Sequence, residues 1–213
     1  LLNSEKFIIL DLYKTSDEIL KDAKQQWRRH NKLANKNGLK IKFIENPKPE
    51  DFSLIQDPLS KKNNIRNIYN VREMSALLKH FKKKYVVCSA YDSESNLVAT
   101  RCVIICNNIS WHHFSGVTEE GRILMAGFPL LLYMIDQCRS LWVTKYNLGE
   151  LNMKKWPGPG RFKSGADRKS IKYDTLGEWE WSNNILLSIF LNLFIRFYHS
   201  TGYYFSKIFW RNL

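Results

Sequence analysis

Residues 121–149 of this 213-residue chain read GRILMAGFPLLLYMIDQCRSLWVTKYNLG, and this stretch decides the fold class. Residues 121–142 are the strongest apolar run of the interior and predict one long helix, with Pro129 at a kink. Residues 143–149 then predict a strand that ends at Gly149. The stretch therefore predicts a buried helix beside a sheet.

The patterns on both sides extend this prediction to an α+β fold. Three strands in the middle of the chain are separated by short turns and indicate an antiparallel meander. Those strands are 85–91, 96–107 and 109–116. The other expected elements are a strand at 5–12, a helix at 18–37 after the capping residues 15–18, a strand at 39–43, helices between 53 and 84 interrupted at Pro58, loops at 45–52 and 150–165, and strands at 169–174 and 177–181. We therefore expect a mainly antiparallel central sheet flanked by helices.

The charge balance is strongly basic, since 33 Lys and Arg against 20 Asp and Glu leave a net charge of +13. Such a surplus favours polyanionic partners, meaning nucleic acid, nucleotide-linked substrates or anionic lipid headgroups. A lysine-rich composition without such a partner is the alternative. Cations concentrate between Lys21 and Lys42, where Arg28, Arg29 and Lys32 are the candidates for polyanion binding. A solvated helix face explains the same pattern.

The cysteines and histidines do not indicate a metal site. No cysteine has a CxxC partner, and we expect buried free thiols in a reducing compartment. His112 and His113 are adjacent in a predicted strand, so they point to opposite faces and cannot easily share a metal. The four cysteines are Cys88, Cys102, Cys106 and Cys138.

Residues 158–165, GPGRFKSG, place an aromatic side chain next to a lysine just ahead of a predicted strand. We interpret this segment as a loop because Gly and Pro mark turns. Either Phe162 lies in the core with Lys163 at its rim, or the glycines let the loop approach a ligand that Phe162 and Lys163 contact.

Three motifs follow the long helix in the order KYNLGE (145–150), GPGRFK (158–163) and LGEW (176–179). Their order and spacing resemble the FemA/FemB/FemX-like peptidoglycan aminoacyltransferases, whose domains have the GNAT acyltransferase fold. Segments upstream also match, so the resemblance covers nearly all of residues 5–183. In place of the Asp-Leu-Gly-Gly typical of the family, residues 147–150 read Asn-Leu-Gly-Glu.

Members of that family usually carry two GNAT-like domains, and this chain resembles the second. The chain does not begin with Met, which is consistent with missing material upstream. We therefore expect a GNAT-like domain at 1–183, the second of two in the full protein. An aromatic-rich apolar helical tail is expected at 184–213.

The resemblance implies transfer of an amino acid from aminoacyl-tRNA to an amine of a UDP- or lipid-linked peptidoglycan precursor, without a metal or redox cofactor. Lys163 is the matched lysine and would be the catalytic cation or would hold the terminal adenosine of the tRNA. Phe162 would stack on the terminal base. The other expected substrate-binding residues are Arg161, Lys62 near the phosphates of the acceptor, and His113 in the meander.

Two further functions remain open on the same fold. One is an N-acyltransferase that uses acyl-CoA on a cell-envelope sugar. Glu119 and Glu120 disfavour it, because they lie where the pyrophosphate of CoA would need positive potential. The other is a GNAT-like domain that binds without catalysis, which the substituted residues 147–150 and the lack of a first domain favour.

The tail at 185–213 is rich in aromatic residues, but its apolar run is shorter than the roughly 20 residues of a membrane span. One interpretation is a helix that packs on the protein. The other is an interfacial helix on the inner face of the plasma membrane, with Arg196, Lys207 and Arg211 among the headgroups. The expected location is cytoplasmic, with peripheral membrane contact under the second interpretation.

Overall fold

The computed structural model describes residues 6–63, 71–153 and 156–174, together with Leu186, Ile189, Phe190 and Leu193. The chain divides into two compact units, one of residues 5–174 and one of residues 1–4 with 175–213. The sequence-based boundary at 183 stays a prediction. The predicted strand at 177–181 and most of the predicted tail lie outside the described residues.

The described residues up to 174 form seven helices and seven strands. They are β1 Lys6–Asp11, α1 Ser16–Asp22, α2 Gln25–Ala34, β2 Lys40–Phe43, α3 Pro49–Asn63, α4 Val71–Phe81, β3 Tyr85–Tyr91, β4 Leu97–Cys106, β5 Ile109–Val117, α5 Glu119–Ile123, α6 Gly127–Ser140, β6 Lys145–Glu150, α7 Pro157–Ala166 and β7 Ile171–Asp174.

Seven strands form one sheet in the order β2-β3-β4-β5-β6-β1-β7. All neighbours are antiparallel except β5 and β6, which pair in parallel from Ile109–Trp111 to Lys145–Asn147. The prediction of an α+β fold with a mainly antiparallel sheet is confirmed. The parallel pair was not predicted, and it follows from the crossover through α5 and α6 that connects β5 to β6.

Helices cover both faces of the sheet, and alternate residues of β3 show this. Val86, Cys88 and Ala90 join the core beneath α1, α2 and α6, whereas Tyr85 and Val87 join the core beneath α3 and α4. We call these the α6 face and the α3 face. The apolar run 121–142 therefore supplies the centre of the larger core through α6.

Two predicted long helices are each divided in two. Met125, at φ 56°, separates α5 from α6, so Pro129 lies in the first turn of α6 rather than at a kink. The predicted helix over 18–37 breaks after α1, whose capping box joins Thr15 and Glu18 as expected. Its second half, α2, starts after Lys24 and has its own axis.

The predicted loops at 45–52 and 150–165 are partly wrong. Pro49 occupies the first helical position of α3, where its missing N–H costs nothing. That helix continues past the expected interruption at Pro58. Pro157 starts α7 in the same way, so GPGRFKSG is helical.

Two of the three glycines of α7, Gly160 and Gly165, serve close packing rather than loop flexibility. A Cβ at Gly165 would lie 3.1 Å from the Trp27 ring on α2, and one at Gly160 would overlap the Met153 side chain. Both glycines are buried. Small residues at these two positions therefore let α7 approach its neighbours closely enough to fix Phe162 and Lys163 in place.

Three of the four thiols are buried and free, as expected, but Cys106 is exposed at the end of β4. In the tail, Leu186, Ile189, Phe190 and Leu193 are helical and exposed. Among the residues that the structure describes, no helix is long and apolar enough to cross a bilayer.

Candidate active site

The sheet opens between β5 and β6. Their parallel pairing ends at Trp111 and Asn147, and no later residues of the two described strands pair. Gly149 follows with φ 76°, a backbone conformation in which any residue with a side chain would be strained. Its N–H donates to the Asn147 side chain at 2.7 Å. A Cβ at Gly149 would also lie 3.1 Å from the His112 ring, so His112 closes directly against β6 at this opening.

A bulge in β5 sets the directions of the two adjacent histidines. Cys102 of β4 pairs with Phe114, but the next residue, Val103, pairs with His112, which leaves His113 as the extra residue. His112 therefore lies on the α6 face with Val103. His113 contacts the Tyr85 hydroxyl through Nδ1 at 2.7 Å, on the α3 face. The predicted substrate-binding residue His113 thus lies on the other face from the opening, and its role stays a prediction.

Arg101 is the most unusual residue of the opening, because it is a charged side chain only 6% exposed in the middle of β4. Its Nε and Nη1 atoms have no hydrogen-bond partner, and among the described residues it forms no ion pair. The guanidinium lies over the Phe162 ring at 5.6 Å from the centroid. This cation–π contact supports the buried charge but leaves its hydrogen-bonding capacity unused.

Lys163 reaches the same opening from α7. Its Nζ donates to the backbone carbonyl of Glu150, at the end of β6, across 2.6 Å. Burial and the neighbouring Arg101 lower the pKa of Lys163 to about 8, while Glu150 opposes the shift. The lysine is therefore a half-buried cation that loses its proton far more easily than a lysine on the surface.

Two more polar groups complete the opening. Burial raises the pKa of the Tyr146 phenol above its usual value, and the Arg101 guanidinium is close enough to oppose that shift. Burial also lowers the pKa of His112 well below its usual value, and the positive charges of Arg101 and Lys163 add to this effect. The Tyr146 hydroxyl and the His112 Nδ1 are buried without hydrogen-bond partners. We call Arg101, His112, Tyr146 and Lys163 the unpaired cluster.

Phe162 and Arg161 lie next to this cluster, on the side of α2. The Phe162 ring packs against Trp27 and Phe128, at centroid distances of 5.8 and 5.2 Å. A cavity of about 200 Å³ adjoins these rings. Its lining includes three basic side chains, Lys24, His30 and Arg161. Phe162 is thus both part of the core edge and part of a pocket wall, and both interpretations of its role retain support.

The remaining predicted residues lie elsewhere. Arg28, Arg29 and Lys32 are exposed on α2, opposite the buried face of Trp27 and Asn31. Lys21, expected on the same helix, lies on α1 instead. Lys62 belongs to α3, but its side chain is outside the described part of the chain.

Three members of the unpaired cluster were missed by the sequence-based reasoning. Arg101 carried a signal, since it is a lone charge inside the apolar run LVATRCVIIC. His112 carried none that separates it from His113, because the bulge depends on pairing with β4. Tyr146 resembled an ordinary strand aromatic. In the described ranges no group of three or more His, Cys, Asp or Glu could hold a metal ion.

Comparison with known proteins identifies the fold. No family model and no curated protein matches the sequence. The chain is similar to FemX with a TM-score of 0.63 and 10% identity, over 89% of this chain and 59% of FemX. L-PGS from Bacillus licheniformis gives a TM-score of 0.52 and 11% identity over 88% of this chain and 51% of that one.

A third similar structure is the C-terminal DUF2156 domain of a putative lysylphosphatidylglycerol synthetase from Agrobacterium fabrum. Its TM-score is 0.52 at 15% identity, over 76% of this chain and 51% of that one. The chain therefore has the fold of FemX and these related structures, as the resemblance to the FemA/FemB/FemX-like proteins implied. It spans 51–59% of the length of these structures, and identities this low define the fold alone.

Proposed function

We propose that this chain is an acyltransferase domain that moves an amino acid from aminoacyl-tRNA to an amine of a peptidoglycan precursor. The observation that carries the proposal is Lys163, whose ammonium lies beside the buried Arg101 at the opening between β5 and β6. Two cations at one opening suit a reaction that develops negative charge on oxygen. The likeness in fold to FemX supports the same reaction class.

In this reaction the amine nitrogen of the acceptor attacks the ester carbonyl carbon of the donor. A C–N bond forms and the C–O bond to the ribose breaks; the amine loses a proton and the ribose hydroxyl gains one. The carbonyl oxygen carries a negative charge in the tetrahedral intermediate, and Lys163 donates an N–H to it. A fixed donor of this kind lowers the barrier by several kcal/mol.

The donor tRNA binds on the basic side formed by α2 and α7 in this proposal. Arg28, Arg29 and Lys32 contact its backbone phosphates. Its terminal base enters the pocket beside Arg161, where Phe162 supplies an aromatic wall. The acceptor, a UDP- or lipid-linked precursor, contacts Lys62. His113 lies on the α3 face and would contact only a part of the acceptor away from its reacting amine.

The proposed reaction uses no metal or redox cofactor and takes place in the cytoplasm. For a lipid-linked acceptor, residues 185–213 lie on the inner face of the plasma membrane. Leu186, Ile189, Phe190 and Leu193 are helical and exposed, and their spacing of i, i+3, i+4 and i+7 supports an apolar side of that kind.

The test is transfer of a radiolabelled amino acid from a mixed aminoacyl-tRNA pool to UDP-linked and lipid-linked precursors by the purified chain. We expect transfer to at least one precursor, and at least tenfold less with Lys163→Ala. Lys172→Ala, an exposed lysine on β7, is the matched control. Absence of transfer to both precursors contradicts the proposal, and acylation of a sugar amine by acyl-CoA in parallel reactions replaces it with the acyl-CoA alternative.

A further inference from the structure

Arg101 is a buried positive charge without a negative partner, and the proposed transfer reaction does not supply one. Nearly the whole side chain is buried, and two of its three nitrogens lack a hydrogen-bond partner. A buried charge is ordinarily paired and hydrogen-bonded, because moving it out of water costs several kcal/mol. The described residues supply an aromatic ring at 5.6 Å but no carboxylate.

The groups around Arg101 add a further positive charge and a further hydrogen-bond donor, and they supply no negative charge. The Tyr146 hydroxyl, on a side chain that is 0% exposed, lies beside the Arg101 guanidinium and has no acceptor for its own proton. Lys163 contributes a second positive charge. A site with two cations and an unused hydroxyl lacks one component, which is a negatively charged acceptor of hydrogen bonds.

We propose that Arg101 and Tyr146 bind a carboxylate or phosphoryl group of a substrate at the opening between β5 and β6. Arg101 donates to the oxygens of this oxyanion from its free nitrogens, and Tyr146 donates its hydroxyl proton. The site is distinct from the role of Lys163, which reaches the opening from α7, donates one N–H to the Glu150 carbonyl and keeps its other N–H groups for the oxyanion of the transfer reaction. Only the claim that the oxyanion belongs to a substrate rests on the proposed function.

An oxyanion bound here determines which substrates fit. A donor or acceptor with an acidic group near its reacting atom gains a charge-assisted contact in the interior, where such contacts are strong. A neutral analogue of the same shape leaves Arg101 unpaired and binds more weakly. The cluster would thus select an anionic substrate before the chemistry begins.

The experiment measures binding of acetate and of inorganic phosphate to the intact chain, by calorimetry and by thermal unfolding at constant ionic strength. We expect saturable binding of one of them and a higher Tm on saturation. The anion that binds distinguishes a carboxylate site from a phosphoryl site. Arg101→Met should abolish that binding, and it should raise the Tm of the ligand-free protein because it removes an unpaired buried charge.

Two variants make the test specific. Tyr146→Phe removes one donor, and we expect about tenfold weaker binding of the anion. Arg72→Met, on exposed α4, removes the same charge at the surface and should leave both binding and Tm unchanged. Should Arg101→Met fail to fold, Arg101→Lys and Tyr146→Phe together provide the binding comparison.

The inference is overturned if neither anion binds saturably, or if Arg101→Met and Tyr146→Phe bind as the unaltered chain does. Because neither measurement uses tRNA or a precursor, the result is independent of the transfer assay. Anion binding without aminoacyl transfer contradicts the proposed function alone. Transfer with no anion binding contradicts this inference alone.

Discussion

Two groups of charged and polar side chains flank α7, and they differ in how they are satisfied. The first is the unpaired cluster at the opening between β5 and β6. The second, which we call the paired cluster, joins the end of β1, the end of α1 and the turn after α7 through four residues. They are Lys14, Asp22, Asp167 and Lys169.

Every charge of the paired cluster has a partner. Lys14 Nζ lies 2.8 Å from Asp22 and 3.4 Å from Asp167, and Lys169 Nζ lies 2.9 Å from Asp22. The hydrogen bond from Lys14 is the main cause that lowers the pKa of Asp22 to about 2, and the same bond raises the pKa of Lys14. Such a network fixes the turn that leads from α7 into β7.

Charges that have partners stabilise the fold, whereas buried charges without partners indicate a ligand site. A protein that buries charge to stabilise its fold places opposite charges together, as the paired cluster does. A protein that buries cations without partners loses stability, and it keeps such an arrangement where a ligand completes it. The two clusters therefore predict opposite responses to mutation.

The largest effect is expected from breaking the paired cluster at Asp167. This carboxylate is 4% exposed and also accepts the Lys169 N–H at 2.8 Å. Asp167→Ala should lower the free energy of unfolding by about 2 kcal/mol, because it removes the acceptor of the Lys169 N–H and of Lys14, both partly buried. Urea unfolding measures the change. Asp174→Ala, at an exposed ion pair with Lys6, is the control and should change stability by less than about 0.5 kcal/mol.

The second prediction concerns the unpaired cluster at Lys163. Lys163→Ala should lower the aminoacyl transfer rate at least tenfold, or about 1.4 kcal/mol in activation free energy, with little change in Tm. Initial rates and thermal unfolding of the same preparation test both statements. A variant with normal turnover removes Lys163 from the reaction, and one that loses Tm as Asp167→Ala does makes it a structural residue.

The third prediction follows from the pKa of about 8 at Lys163. If the protonated lysine stabilises the oxyanion, kcat/KM is high below this pH and falls as pH rises through about 8, to about one tenth of the plateau at pH 9. Lys163→Arg keeps its charge throughout this range, so the decline should disappear. Rates are compared between the two proteins at each pH, since deprotonation of the acceptor amine affects both equally.

The smallest effect is expected from the exposed cations of α2, which belong to neither cluster. Arg28→Glu combined with Lys32→Glu should weaken tRNA binding and reduce the slope of log K against log salt by about two. Filter binding between low and high salt measures the slope. Lys79→Glu with Lys82→Glu reverses two exposed charges near the end of α4 as a control. Equal slopes in all three proteins leave α2 as a solvated face.

Much of the fold was predictable because it depends on local patterns. The meander over β3, β4 and β5 showed short apolar runs with turn residues between them, and the structure reproduces all three strands within a few residues. The segment 158–165 was predicted wrongly as a loop. Gly165 packs against Trp27 and Gly160 against Met153, and no local rule distinguishes a glycine needed for close packing from one needed for a turn.

The sequence by itself determined the α+β class, the apolar run of the central helix α6 and the basic residues of α2, and its resemblance to a known family made Lys163 a candidate. These features depend on composition, periodicity and short motifs, which the chain carries wherever it folds. Only the tertiary structure decided that Arg101, His112 and Tyr146 meet Lys163, and that His112 rather than His113 faces the opening. Strand register, the bulge in β5 and the parallel pairing of β5 with β6 bring these residues together, and each depends on contacts between segments far apart in the chain.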